Sequence, residues 1–138
     1  MNNEIYAVKL EKHTKEYKEA KETLKTAFPR KEQSPFWALR FFAKHEGVDF
    51  LCFYDKSDNY IGVSYSIHDK NNRMLLLYLA VAENARSKGY GSAIVRYLEE
   101  KDNIKETVVD IESPYEQADN QRQRVHRLSF YQRLGFRY

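Results

Sequence analysis

The sequence contains a single cysteine, Cys52, so no internal disulfide framework can staple it and a reducing compartment suits it. No apolar run approaches the length of a membrane span, and Met1-Asn2-Asn3-Glu4 lacks the apolar core of a signal peptide. The expectation is a cytoplasmic protein with no membrane partner. Charge of one sign is also lacking: 23 Lys and Arg stand against 20 Asp and Glu, a formal net charge of +3. That balance gives little ground for a nucleic-acid partner, which usually demands a concentrated basic face. No cluster of His, Cys and carboxylates has metal-ligand spacing, so no metal is expected. Internal repeats, low-complexity tracts and interdomain linkers are missing too. What remains is one domain, 1–138, large enough to bury a core. Its 11 tyrosines suit the boundary of that core, or a cleft or interface.

The rest of the chain is organised around residues 76–95. Leu76-Leu77-Tyr78-Leu79-Ala80-Val81 is a continuous apolar run; a polar turn follows, and apolar residues return at Tyr90, Ala93, Ile94, Tyr97 and Leu98. This predicts strand, loop and helix. Gly89 and Gly91 permit backbone angles and close approaches that a Cβ forbids. The first helical turn leaves amide N–H groups unpaired at the positive end of the helix dipole, and Arg86 and Lys88 add full charges there. Such a corner suits an anion, usually phosphate. Two glycines before a helix also mark a plain tight connection, and spacing alone leaves both readings open. No third glycine falls at the dinucleotide-fold spacing and no Gly-Lys-Ser/Thr triplet closes the loop.

Elsewhere, Ile5 to Leu10 predicts a strand. A helix from Thr14 carries Tyr17, Ala20, Leu24, Ala27 and Phe28 and stops at Pro29. Ser34 as N-cap and Pro35 at the first helical position open a second helix to about Lys44, with Phe36, Trp37, Leu39, Phe41 and Phe42 expected to fill the core. Val48 to Asp55 and Tyr60 to His68 read as a hairpin. In the second of these strands, Ile61, Val63, Tyr65 and Ile67 alternate with Gly62, Ser64, Ser66 and His68, so one face should be buried and the other wet or functional. Met74 to Val81, apolar on both faces, should lie centrally in the sheet. Thr107 to Glu112 reads as a further strand, with Asp110 and Glu112 on one face. If both entered a cleft, their repulsion would raise one pKa. Asp119 or Asn120 caps a last helix with the stripe Val125, Leu128, Tyr131 and Leu134, stopped by Gly135.

Arg86-Ser87-Lys88-Gly89-Tyr90-Gly91, directly after Leu79-Ala80-Val81, resembles the Arg/Gln-x-x-Gly-x-Gly/Ala signature of the GNAT superfamily of acyl-CoA-dependent N-acyltransferases. Phe130-Tyr131-Gln132-Arg133-Leu134-Gly135-Phe136 is similar to that family's second hallmark. The resemblance implies an α/β (α+β) fold: a mixed, mostly antiparallel central sheet with helices on both faces. Relatives usually add two strands after the last helix, whereas only Phe136-Arg137-Tyr138 follow here. The expectation is a truncated copy or a sheet completed by a neighbouring chain, with a homodimer left open.

The resemblance further implies acetyl-CoA as co-substrate, lying in a splay between the central strand and the one beginning at Thr107. The main chain of Leu79, Ala80 and Val81 would pair with the pantetheine arm, and the amides of Arg86, Ser87, Lys88, Gly89, Tyr90, Gly91 and Ser92 would hold the pyrophosphate. Tyr131 would be the general acid, and the aromatic helix would frame the acceptor cleft. Many relatives carry a Glu on the central strand where this chain has Leu76, Leu77 and Tyr78. Glu112 is therefore the candidate base, with His68 the weaker one. At the position seven before the tyrosine, relatives often have an Asn that bonds the pantetheine; here it is Arg124, which with Arg122 and Arg127 either reaches the phosphates or forms a solvated face, the latter being expected. Cys52 lies outside both hallmarks, so a covalent route has no support. The expected activity is acetyl transfer to a small-molecule or peptide amine by direct attack; the rival is an acyl-CoA-binding module without turnover.

Overall fold

The computed structural model describes residues 4–12, 14–28, 34–115 and 119–137. In order they form β1 (Ile5–Lys9), α1 (Lys15–Ala27), α2 (Phe36–Phe42), β2 (Val48–Asp55), β3 (Tyr60–His68), β4 (Arg73–Val81), α3 (Tyr90–Lys101), β5 (Glu106–Val109) and α4 (Gln121–Arg133). A 3-10 turn, Glu83–Ala85, precedes α3. Pro29, the expected stop of α1, lies outside the described residues. The five strands run in sequence order across one sheet, antiparallel except for the parallel pair β4 and β5.

Two aspartates build the tight turns on either side of β3. Asp55 Oδ1 accepts the N–H groups of Ser57 and Asn59, both at 2.9 Å. Asp69 Oδ1 accepts those of Asn71 at 2.8 Å and Arg73 at 3.1 Å. In each case a short carboxylate satisfies turn amides that have no strand partner.

Helices cover both faces. Leu24 of α1 and Leu39 of α2 pack with Phe50, Cys52, Val63, Tyr65 and Ala80 of the sheet; Ile94 and Leu98 of α3 and Tyr131 of α4 pack with Phe53, Ile61, Met74 and Leu76. Burying each large apolar side chain contributes roughly 1.5–3 kcal/mol. The expectation of one wet face on β3 is therefore corrected: Ser64 and Ser66 are 0% and 1% exposed. Alternation also fails at Ile61. Phe53 pairs with Gly62 and Tyr54 with Tyr60, so Ile61 is the extra residue of a β-bulge and joins the opposite core from Val63.

Several helix expectations are amended. The cap of α2 is Pro35 rather than Ser34, and the helix stops at Phe42. Of its apolar residues only Leu39 is buried, while Trp37, Phe41 and Phe42 face outward. In α4, Val125 is exposed, and Arg124 is buried instead.

Candidate active site

The parallel strands separate at Leu76. Their register runs from Arg73 opposite Glu106 to Leu76 opposite Val109 and stops. On its other edge β4 stays paired with β3 as far as Val81 opposite Gly62. Leu77 to Val81 thus has no strand partner on the β5 side among the described residues. A bulge marks the branch point: Tyr65 pairs with Tyr78 and Ser66 with Leu76, leaving Leu77 as the inserted residue. Bulges bend and twist a strand, which turns β4 away from β5 and leaves main-chain donors and acceptors open along one edge.

Beyond Val81 the chain turns through left-handed backbone conformations, and the N–H of Arg86, expected to serve the pyrophosphate, donates to Glu83 O at 3.5 Å instead. Ser87 and Gly89 have φ of 65° and 82°, and Gly89 caps α3 with no side chain serving its first turn. The N–H of Ala93 bonds Gly89 O at 3.2 Å, so those of Tyr90, Gly91 and Ser92 precede the first intrahelical acceptor. Arg86 Nε donates to Val81 O at 3.2 Å, which holds its guanidinium at this corner.

The two sequence hallmarks touch. A Cβ at Gly91 would lie 2.9 Å from Phe130 Cε1: the role of Gly91 is close packing of α3 against an α4 ring, whereas Gly89 supplies the left-handed backbone. At the far end of α4, Gly135 has φ of 98°; its N–H bonds Gln132 O at 3.0 Å, and that of Phe136 bonds Tyr131 O at 3.0 Å. This glycine-dependent helix stop folds Phe136 back until its ring sits 5.4 Å from that of Tyr131. Phe130 and Phe136 hold Tyr131 from two sides.

A groove of about 280 Å³ runs past these residues. Leu79, Ala80, Val81, Arg86 and Gly91 line one wall, and Gln123, His126, Arg127, Phe130 and Tyr131 of α4 the other. It meets Phe28, and a separate recess of about 80 Å³ shares Phe28 and Arg127 with it and is lined also by Leu77, Tyr78, Asp110 and Glu112. Arg127 sits at the junction, its guanidinium 4.3 Å over the Phe28 ring and donating to Ala27 O at 3.2 Å. Tyr131 is 6% exposed; burial pushes its phenol up to about 12, against a weaker downward pull from Arg127.

The structure thus gathers Tyr131 with Leu79, Ala80, Val81, Arg86 and Gly91. Lys88 and Tyr90, with Arg86, line a separate polar cleft of about 660 Å³ facing α1, which Glu83, Asn84 and Asp55 share. Ser87, Gly89 and Ser92 line neither space. Glu112 reaches the recess, but not from a strand: β5 ends at Val109, and both Asp110 and Glu112 are exposed residues of the following segment.

Other expectations are redirected. His68, opposite Met74, lies at the end of β3 remote from Gly62 and the groove. There Asp49, His68 and Asp102 bring ligand atoms within 4.8 Å of one another, a group that linear spacing did not reveal. Lys101 Nζ already stands 3.1 Å from Asp49 and 2.9 Å from Asp102. Arg124, expected on a solvated face, is 5% exposed and donates to Ser113 O at 3.3 Å, tying the segment after β5 to α4. Cys52 is fully buried, and burial pushes its thiol up to about 12, the wrong direction for a nucleophile.

A family model described as an acetyltransferase (GNAT) domain matches residues 40–138. Comparison with curated proteins gives no match. Among solved structures, a Bacteroides thetaiotaomicron protein described as a putative GNAT-family acetyltransferase is similar, at 22% identity and a TM-score of 0.69 over 94% of this chain and 69% of its own. A GNAT family acetyltransferase from Elizabethkingia anophelis, solved with acetyl-CoA bound, aligns at 15% identity and a TM-score of 0.65 over 96% of this chain and 76% of its own. An aminoglycoside acetyltransferase from an uncultured soil metagenomic sample aligns at 17% identity and a TM-score of 0.67 over 100% and 93%. No helix among the described residues is long and apolar enough to cross a membrane.

Proposed function

The chain belongs to the GNAT acetyltransferase family, and from that premise we propose that it moves an acetyl group from acetyl-CoA to a primary amine by direct attack, with no acyl-enzyme. The observation that carries this reading is proximity: the edge of Leu79, Ala80 and Val81 that has no partner on the β5 side among the described residues, Gly91 of the helix start and a buried phenol border one groove, and a neighbouring recess that shares Phe28 and Arg127 with it is lined by two carboxylates.

Acetyl-CoA supplies an activated thioester and a leaving thiolate. Leu79, Ala80 and Val81 offer the main-chain edge that the pantetheine arm occupies as an added strand. The N–H groups of Tyr90, Gly91 and Ser92 hold the diphosphate, with the positive charge of Arg86 beside them. Tyr131 donates toward the sulfur. Burial keeps its phenol protonated at neutral pH, so it stands as a hydrogen-bond donor to a departing thiolate of ordinary pKa about 8.5.

The acceptor, a small-molecule or peptide amine, arrives mostly as an ammonium of pKa about 10.4. Glu112, with Asp110 beside it at the recess, attracts that cation and takes its proton directly or through water.

Release of free CoA across a panel of alkyl, amino-acid and peptide amines, measured alongside acetyl-CoA binding, tests this. Turnover with any of these amines supports it. Tight binding without turnover selects the acyl-CoA-binding module, and failure to bind acetyl-CoA removes both.

A further inference from the structure

The outer face of α2 holds aromatic side chains that stay exposed. Leu39 anchors this seven-residue helix, and Phe36 leans on Phe50 and Tyr17 at ring separations of 5.6 and 5.1 Å. Trp37, Phe41 and Phe42 are 69%, 55% and 55% exposed. Phe41 and Phe42 meet edge to face at 5.5 Å, and His45 flanks Phe42. Three exposed aromatics gathered on one short helix mark an interaction site.

Cations surround it. Lys44 Nζ lies 5.9 Å over the Phe41 ring and Arg40 5.2 Å over that of Tyr17. Tyr17 is the joint to α1, where it shares a depression of about 570 Å³ with Lys18, Lys21 and Lys25. At helical spacing these lysines fall on the Tyr17 side of α1, and Glu16 and Glu19 fall on the other. Glu22 lines the same depression and Glu46 follows Lys44 by two residues, two carboxylates on this side against five cations.

From this arrangement we infer that the α1 and α2 surface docks the protein peripherally on an anionic lipid bilayer. Charge argues against a second copy, because a pairing of this face with itself would bring two patches with excess positive charge into one interface. The aromatics project from a convex helix instead of lining a groove, which suits the yielding interface of a bilayer better than an extended acidic peptide. Aromatic rings at headgroup depth with lysines reaching lipid phosphates is the physics of interfacial anchoring. The expectation of no membrane partner rested on the lack of a spanning run, which does not bear on surface attachment. This inference is independent of the transferase reading.

Trp37 is the only tryptophan, so its emission reports on this face alone. The test titrates the chain with vesicles of phosphatidylcholine, either pure or with about a third phosphatidylserine. A blue shift and co-sedimentation with the anionic vesicles only, reversed by salt, is the expected result. Binding should fall at least tenfold for Phe41→Ser with Phe42→Ser, and for Lys21→Glu with Lys25→Glu. All four side chains are exposed, so an unchanged melting temperature certifies folding of each variant. No partition into anionic vesicles overturns the inference, as does an equal shift with neutral ones. A shift produced by polyglutamate without vesicles, or by raising protein concentration alone, overturns it in favour of an acidic protein partner or self-association.

Discussion

Gly91→Ala sets a methyl carbon 2.9 Å from Cε1 and 3.0 Å from Cζ of Phe130. Carbon atoms in contact sit about 3.5–4.0 Å apart, so the ring must yield by roughly half an ångström or more. Its freedom lies toward the groove, which the same ring lines. Overpacking of this size costs about 1–3 kcal/mol, and removing a helical glycine offsets roughly 0.5–1 kcal/mol of it. The net loss is therefore modest, a few degrees of melting temperature. The effect on acetyl-CoA should be larger in kind: about tenfold weaker binding, or ~1.4 kcal/mol, because the displaced ring narrows the channel. Phe130→Leu, which shortens the ring side chain, should restore affinity in the Gly91→Ala background. Thermal melts and calorimetric titration of the four chains give a double-mutant cycle, with an expected coupling of about 0.5–3 kcal/mol. Additive effects with unchanged affinity would refute the argument that contact between the two hallmarks shapes the groove.

Three further outcomes are expected. Tyr131→Phe should lower kcat by about 10²–10⁴ while leaving the KM for acetyl-CoA nearly unchanged; a matched fall in affinity would make the tyrosine a packing residue only. The same burial has a stability consequence. The folded phenol titrates near 12 and the unfolded one near 10.0, so its contribution is intact below pH 10 and is lost as pH rises toward 12. At 1.36 kcal/mol per unit this is about 2–3 kcal/mol, and alkaline denaturation of wild type against the Phe variant should reveal it as a difference. Arg124→Met, which keeps bulk and removes the guanidinium, should cost about 1–3 kcal/mol in urea unfolding by depriving Ser113 O of its donor; a change within ~0.5 kcal/mol would return Arg124 to the solvated face.

Local signals carried much of the fold. The hairpin strands Val48–Asp55 and Tyr60–His68 have the predicted bounds, because alternation, aromatic content and a polar turn agree there. Gly135 was legible as a helix stop for the same reason: a positive φ is a local demand. The misreadings share a cause. Trp37, Phe41 and Phe42 look like core by composition, yet a short helix with one stripe against the sheet cannot bury residues around its whole circumference. Arg124 looks like surface by charge, but the carbonyl of Ser113 offers it an interior acceptor.

By itself, the sequence determined the elements, their order and the two glycine-bearing hallmarks, since backbone angles and apolar spacing are properties of neighbours along the chain. Tertiary structure alone decided that Phe130 fills the gap above Gly91, that a bulge at Leu77 opens β4 from β5, and that Glu112 reaches the recess from beyond a strand end. Those facts depend on which distant surfaces meet, and no local pattern encodes contacts between segments that lie from about a dozen to about forty residues apart.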